Sequence, residues 1–178
     1  MNYLADLRLM SQYNQWMNQK VYRAALNMDN KEIERDRGAF FGSISGTLNH
    51  IYVADIIWLT RFSCHSKQYQ SLKELPVLES YTNLRASVTD DFKDLFVLRQ
   101  ELDNIIADWC EEIELADLEH HLKYTDTQNN PYSKNFGRLI QHFFNHQTHH
   151  RGQVSTLLFQ QGIDIGVSDL LRIIPDVN

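Results

Sequence analysis

Four of the eight histidines in this 178-residue chain, His142, His146, His149 and His150, stand close together in one stretch of sequence. On an α-helix advancing about 100° per residue, with His142 at zero, His146 stands at about 40°, His150 at about 80° and His149 at about −20°. On the same wheel Leu139 and Leu157 fall at about 60°, Phe143 at about 100°, Val154 at about 120°, and Ile140 and Leu158 at about 160°. The buried direction is therefore roughly 60–160°, which points His150 into the core and sets His146 beside it. His142 and His149 fall on the polar rim with Gln141, Asn145 and Gln160, where solvation is the expected fate. Two imidazoles one turn apart and turned inward can converge on a single cation, as H-x-x-x-H does on zinc-binding helices. The same spacing also suits a pair of core histidines bonded to carbonyls or carboxylates, because buried polar groups find partners. The residues between the pair are Gln147, Thr148 and His149. With no HExxH glutamate among them, a zincin-type protease is disfavoured.

A third ligand has to come from another element, and His50 is the natural choice, lying inside the apolar string LNHIYVADIIWL. His65, His120 and His121 fall at helix ends or in loops and are expected to be solvated. Asp55 lies about 140° round the helix from His50, so it is not placed to bind the same ion. It either pairs with Arg99 in the core or supports the site from behind the ligands, the alternative being a solvated or capped edge carboxylate. Asn14 is equally open. Arg151 and Gly152 point away from His146 and His150, as helix packing or a dimer contact would require.

Four helices are expected to position these groups. The spacing predicts the first over 3–28, with Leu7, Met10, Met17, Val21 and Ala25 as its stripe and Asn14 as the break. The second, over 43–64, is capped by Ser43 or Ser45 and carries Ile44, Leu48, Ile51, Trp58 and Phe62, broken at Asp55. The third, over 83–114, carries Val88, Phe92, Leu95, Leu102, Ile106, Trp109 and Ile113, broken at Arg99. The fourth, over 134–161, ends at Gly162, a residue suited to a left-handed cap. Four long helices point to an all-α fold, a four-helix bundle. The connection 65–82 holds Pro76 and is long enough for a crossover, and Asn129-Asn130-Pro131 can turn a short β-hairpin between the third and fourth helices. Residues 163–178 are too apolar for a free tail and are expected to fold back over one end of the bundle.

Composition bounds what such a protein does. At 43% hydrophobic and 22% charged, with seven glycines and three prolines, the chain reads as a single domain over 1–178. No apolar run approaches the roughly 20 residues of a membrane span, and MNYLADLRLM has no basic segment leading into an apolar one, so the expectation is a cytoplasmic protein. Cys64 and Cys110 are expected to be buried thiols. Seventeen bases against 23 acids give a net charge of −6, and the bases never cluster, so no nucleic-acid footprint is present.

The strings YNQWMN at 13–18, SGTLNHIYVADIIWLTRF at 45–62 and NHQTHHRGQV at 145–154 resemble the signature blocks of the DinB-like (damage-inducible, YfiT-related) metalloenzyme family. The combination of HxxxHRGQ with an upstream NHxxxxD is specific, and the likeness spans the chain from the first predicted helix to the end of the fourth. The resemblance implies an up-down-down-up bundle and a homodimer, with nickel or zinc held by His50, His146 and His150. Imidazole ligands alone do not choose between these ions. It further implies chemistry on a small molecule, as a thiol-dependent S-transferase using a low-molecular-weight thiol or as a hydrolase. The alternative is a non-catalytic, metal-binding stress-response protein.

Overall fold

The computed structural model describes residues 2–65, 69–76, 84, 85 and 87–176. Five α-helices account for most of them: α1 (Tyr3–Ala25), α2 (Asn30–Glu34), α3 (Ile44–Ser63), α4 (Phe92–Glu112) and α5 (Phe136–Phe159). A two-stranded antiparallel sheet, β1 (His121–Thr125) and β2 (Pro131–Asn135), joins α4 to α5 with Tyr124 opposite Tyr132. This is the expected hairpin. Its loop is closed by the Asp126 carboxylate, which accepts the amides of Gln128 and Asn130, and Asn129 takes the left-handed conformation that asparagine tolerates.

The helix starts follow side-chain chemistry. Asn2, Ser43, Asp91 and Asn135 each accept a backbone amide from the first turn they precede, satisfying donors that have no intrahelical partner. Ser43 is thus the cap of α3. Gly46, in the first turn, is required by space: a Cβ there would stand 2.2 Å from the Phe41 carbonyl oxygen. The 37–42 loop turns on Gly42 at φ 79° and is closed by Arg37 donating to the Gly42 carbonyl. That close approach sets Phe41 against α3.

The first predicted helix breaks earlier than expected, since Asp29 caps the separate short helix α2. The third begins at Phe92, not 83, because Asp91 starts it; residue 83 is outside the described set, and Val88 precedes the helix. The tail runs alongside α1, where Tyr13 donates to the Ser168 carbonyl and Lys20 to that of Val167. Ile163 and Ile165, just past the end of α5, pack against the core, whereas Leu171 is left exposed.

Long side chains tie the helices in a consistent register. Arg8, Gln15 and Asn18 of α1 meet Glu111, Asn104 and Asp103 of α4, and Tyr22 stacks on Phe92 and Phe96. Trp58 and Phe62 of α3 meet His142 and Phe143 of α5, while Phe62 also stacks on Trp109 of α4. Trp109, Phe62, Phe136 and Phe143 are all fully buried at this aromatic centre. Each contributes on the order of 2–3 kcal/mol by leaving water. Cys110 is buried as expected, but Cys64, the residue that caps the end of α3, is exposed.

Candidate metal centre

Two helices supply the site. His146 and His150 stand one turn apart on α5, and α3 packs against that face with His50 turned toward them. The His50 and His146 Nε2 atoms are 3.3 Å apart, and one ring nitrogen from each of the three histidines lies within 4.8 Å of the other two. Two nitrogens each about 2.05 Å from a tetrahedral ion lie about 3.3 Å apart, so this spacing fits a zinc-type ion.

Hydrogen bonds select the tautomers. The Leu84 carbonyl lies 3.2 Å from His50 Nδ1, and a carbonyl only accepts, so that nitrogen carries the proton and Nε2 keeps its lone pair. The Gln153 side-chain oxygen lies 2.8 Å from His150 Nδ1 and fixes that ring in the same way, while the Gln153 amide donates to His149. Phe41 stacks on His50 with centroids 3.7 Å apart and meets His150 edge-on. Backbone, amide and aromatic groups thus hold the rings, as the outer partners of metal-binding histidines do.

Burial keeps the rings neutral. Desolvation, with the neighbouring imidazoles adding to it, lowers the His146 pKa to about 3 and that of His50 to about 4, and burial lowers that of His150 as well. The unfolded chain takes up these protons first, near pH 6.5. The contribution of His50 and His146 to the stability of the metal-free fold is therefore complete above about pH 6.5 and is lost as pH falls through about 4 for His50 and about 3 for His146. In the metal-free protein, an NMR titration is expected to place the His50 and His146 imidazole midpoints at about 4 and about 3. Midpoints near 6.5 would contradict the burial.

The other candidates part from this cluster. His142 joins the wall of a cleft of about 200 Å³ that opens on His50 and His146, together with Trp58, Arg61, Leu84 and Asp126. His149 is exposed. Asp55 is buried and ion-paired with Arg99 at 2.6 Å, so it is not a solvated edge carboxylate. Burial pushes its carboxyl up to about 6, against the lowering pull of Arg99 and of the Gln147 amide. Arg151 is also buried, donating to Asn14 and Asn18 in the contact between α5 and α1. His120 and His121 are exposed as expected, but His65 is not: its ring lies against Phe136, 5% exposed.

Sequence reasoning missed three supports of the site. Gln153 was within reach, since i,i+3 spacing sets it beside His150. Phe41 and the Leu84 carbonyl carry no such signal, because loops bring them in.

A helical protein that gathers three neutral imidazoles from two helices beside a cleft has a site suited to a divalent ion. The chain belongs to the DinB family, whose model matches residues 1–174. It is similar to the protein DinB of Bacillus subtilis (strain 168), 25% identical over 151 residues, covering 85% of this chain and 83% of that protein. No solved structure matches the chain.

Proposed function

We propose that this protein is a metal-dependent enzyme acting on a small molecule, with His50, His146 and His150 holding nickel or zinc. The observation that carries the reading is the cleft: two of the three histidines line an opening that a substrate can enter, and a site with room beside the ligands is the catalytic kind. A divalent ion bound there would lower the pKa of a coordinated thiol or water toward neutrality. The chain's own groups then have distinct tasks. Leu84 and Gln153 hold the rings, and Phe41 excludes water from one face of His50. The His142 ring is exposed on the cleft wall, with partial desolvation and the Lys134 charge lowering its pKa. Arg61, over the faces of Trp58 and Tyr124, presents a cation to the same space. Asp55 supports the site at a distance, by tying α3 to α4 through Arg99.

The reading includes the architecture and setting. The register of contacts supports an up-down-down-up four-helix bundle within one domain over 1–178: α1 runs against α4, α3 runs with α4, and α5 runs against α3. In the described residues no helix is long and apolar enough to cross a membrane, which accords with a cytoplasmic enzyme. A homodimer and a low-molecular-weight thiol as co-substrate follow from family resemblance, and an acidic chain without a basic cluster has no nucleic-acid partner.

Zinc- or nickel-loaded protein, assayed with a small thiol plus an aromatic electrophile and separately with an activated ester, is expected to turn over one of the two. That activity should vanish on chelation and in His150→Ala. Full metal loading with no turnover of either would favour the non-catalytic stress-response protein.

A further inference from the structure

We propose that His65, Asp117 and His120 form a second divalent-cation site of zinc type, separate from the three-histidine centre. Their ligand atoms all lie within 4.8 Å of one another. The residues come from two places in the fold: His65 follows the Cys64 cap of α3, whereas Asp117 lies in the turn at Leu115–Glu119 and His120 directly follows that turn into β1. His65 lies about fifteen residues from His50 along α3, which separates the two centres by roughly 20 Å.

The three side chains are held, not merely adjacent. The His65 ring packs against Phe136 at 4.3 Å between centroids and lies nearly parallel to the His120 ring, 21° apart. Asp117 is 5% exposed, and one of its oxygens accepts the Glu114 amide at 2.8 Å. The Tyr69 ring also lies beside that of His65, with centroids 5.8 Å apart. A carboxylate has about four acceptor positions, so the Glu114 amide orients it while using one of them. His120 is exposed and forms the open side. Two imidazoles and one carboxylate are a zinc donor set with room for water, and the intermediate softness of that set disfavours calcium and magnesium. Bound there, the ion would clamp the end of α3 to the connection between α4 and the hairpin, stabilising only the folded chain.

The test is zinc stoichiometry by equilibrium dialysis of the metal-stripped, full-length protein. Wild type is expected to bind about two ions per chain, His146→Ala about one, His120→Ala about one and the double variant none. His121→Ala, one residue further on, should stay at about two. Because His120 is exposed, its replacement leaves the fold in place, as a circular-dichroism melt verifies. Zinc should also raise the melting temperature of His146→Ala but not of His146→Ala/His120→Ala. Two ions retained in His120→Ala, or none in His146→Ala, would overturn the second site. Wild type with one ion that disappears with His146→Ala would overturn it too, leaving the three-histidine reading intact. One ion that disappears only with His120→Ala would do the reverse.

Discussion

His146→Ala is expected to lower the affinity of the three-histidine centre for nickel or zinc by more than about 100-fold, and His50→Ala and His150→Ala should do the same. Loss of an outer partner alone typically costs 10–100-fold, and loss of a ligand costs more. Measured in the His120→Ala background, the titration reads this centre alone. Gln153→Ala keeps all three ligands but frees the His150 ring to take the other tautomer, so about a 10–100-fold loss is expected. His149→Ala, on the exposed side, and His142→Ala, on the cleft wall, should leave binding unchanged. Truncating His146 opens a small polar space beside the cleft, so the fold survives and lost binding is not lost structure. Undiminished binding in any of the three ligand variants would remove the centre from the proposal.

The ligand set was legible in the sequence because a helix wheel depends only on spacing. An α-helix fixes the direction of His146 and His150 once Leu139, Phe143, Val154 and Leu158 define the core side. His50 was reached by its apolar setting, and the family resemblance pointed to the same residue. What the wheel could not give was the third dimension. Phe41 arrives through a loop closed by Arg37 and Gly42, and Leu84 contributes a backbone oxygen, which has no identity in the sequence. His65 was misread for a related reason: a position just past a helix end reads as solvent unless a distant turn, here Leu115–Glu119, folds over it. The breaks in the apolar stripes tell the opposite story. Asn14, Asp55 and Arg99 each interrupt one predicted helix, and the structure brings all three into one buried polar network with Asn18, Asp103 and Arg151. Every interruption marked an interior partner on another helix.

Arg99→Met is therefore expected to destabilise the protein by about 3–5 kcal/mol, the usual consequence of removing one member of a buried ion pair. Arg99 is 0% exposed and meets Asp55 at 2.6 Å and Asp103 at 2.8 Å, so the substitution strands two buried carboxylates. Asp103 retains the favourable charge of Arg151 and the amides of Asn14 and Asn18, whereas Asp55 loses the guanidinium it meets at 2.6 Å. Arg99→Met/Asp55→Asn should consequently be more stable than Arg99→Met alone, although it carries one more change. Urea unfolding of the two variants measures the difference, and a double variant weaker than the single would refute the assignment of the cost to Asp55. The pH dependence supplies a second sign. Without Arg99, burial raises both carboxyls further above their unfolded value near 3.8, so the folded state binds more protons than the unfolded one. The penalty is then absent below about pH 4 and grows as pH rises toward 7, the reverse of ordinary acid denaturation. Since Asp55 and His50 share α3, loss of the Arg99 pairing loosens the seating of the helix that holds His50 within 3.3 Å of its neighbour. Metal affinity should fall with stability in Arg99→Met and recover with it in the double variant.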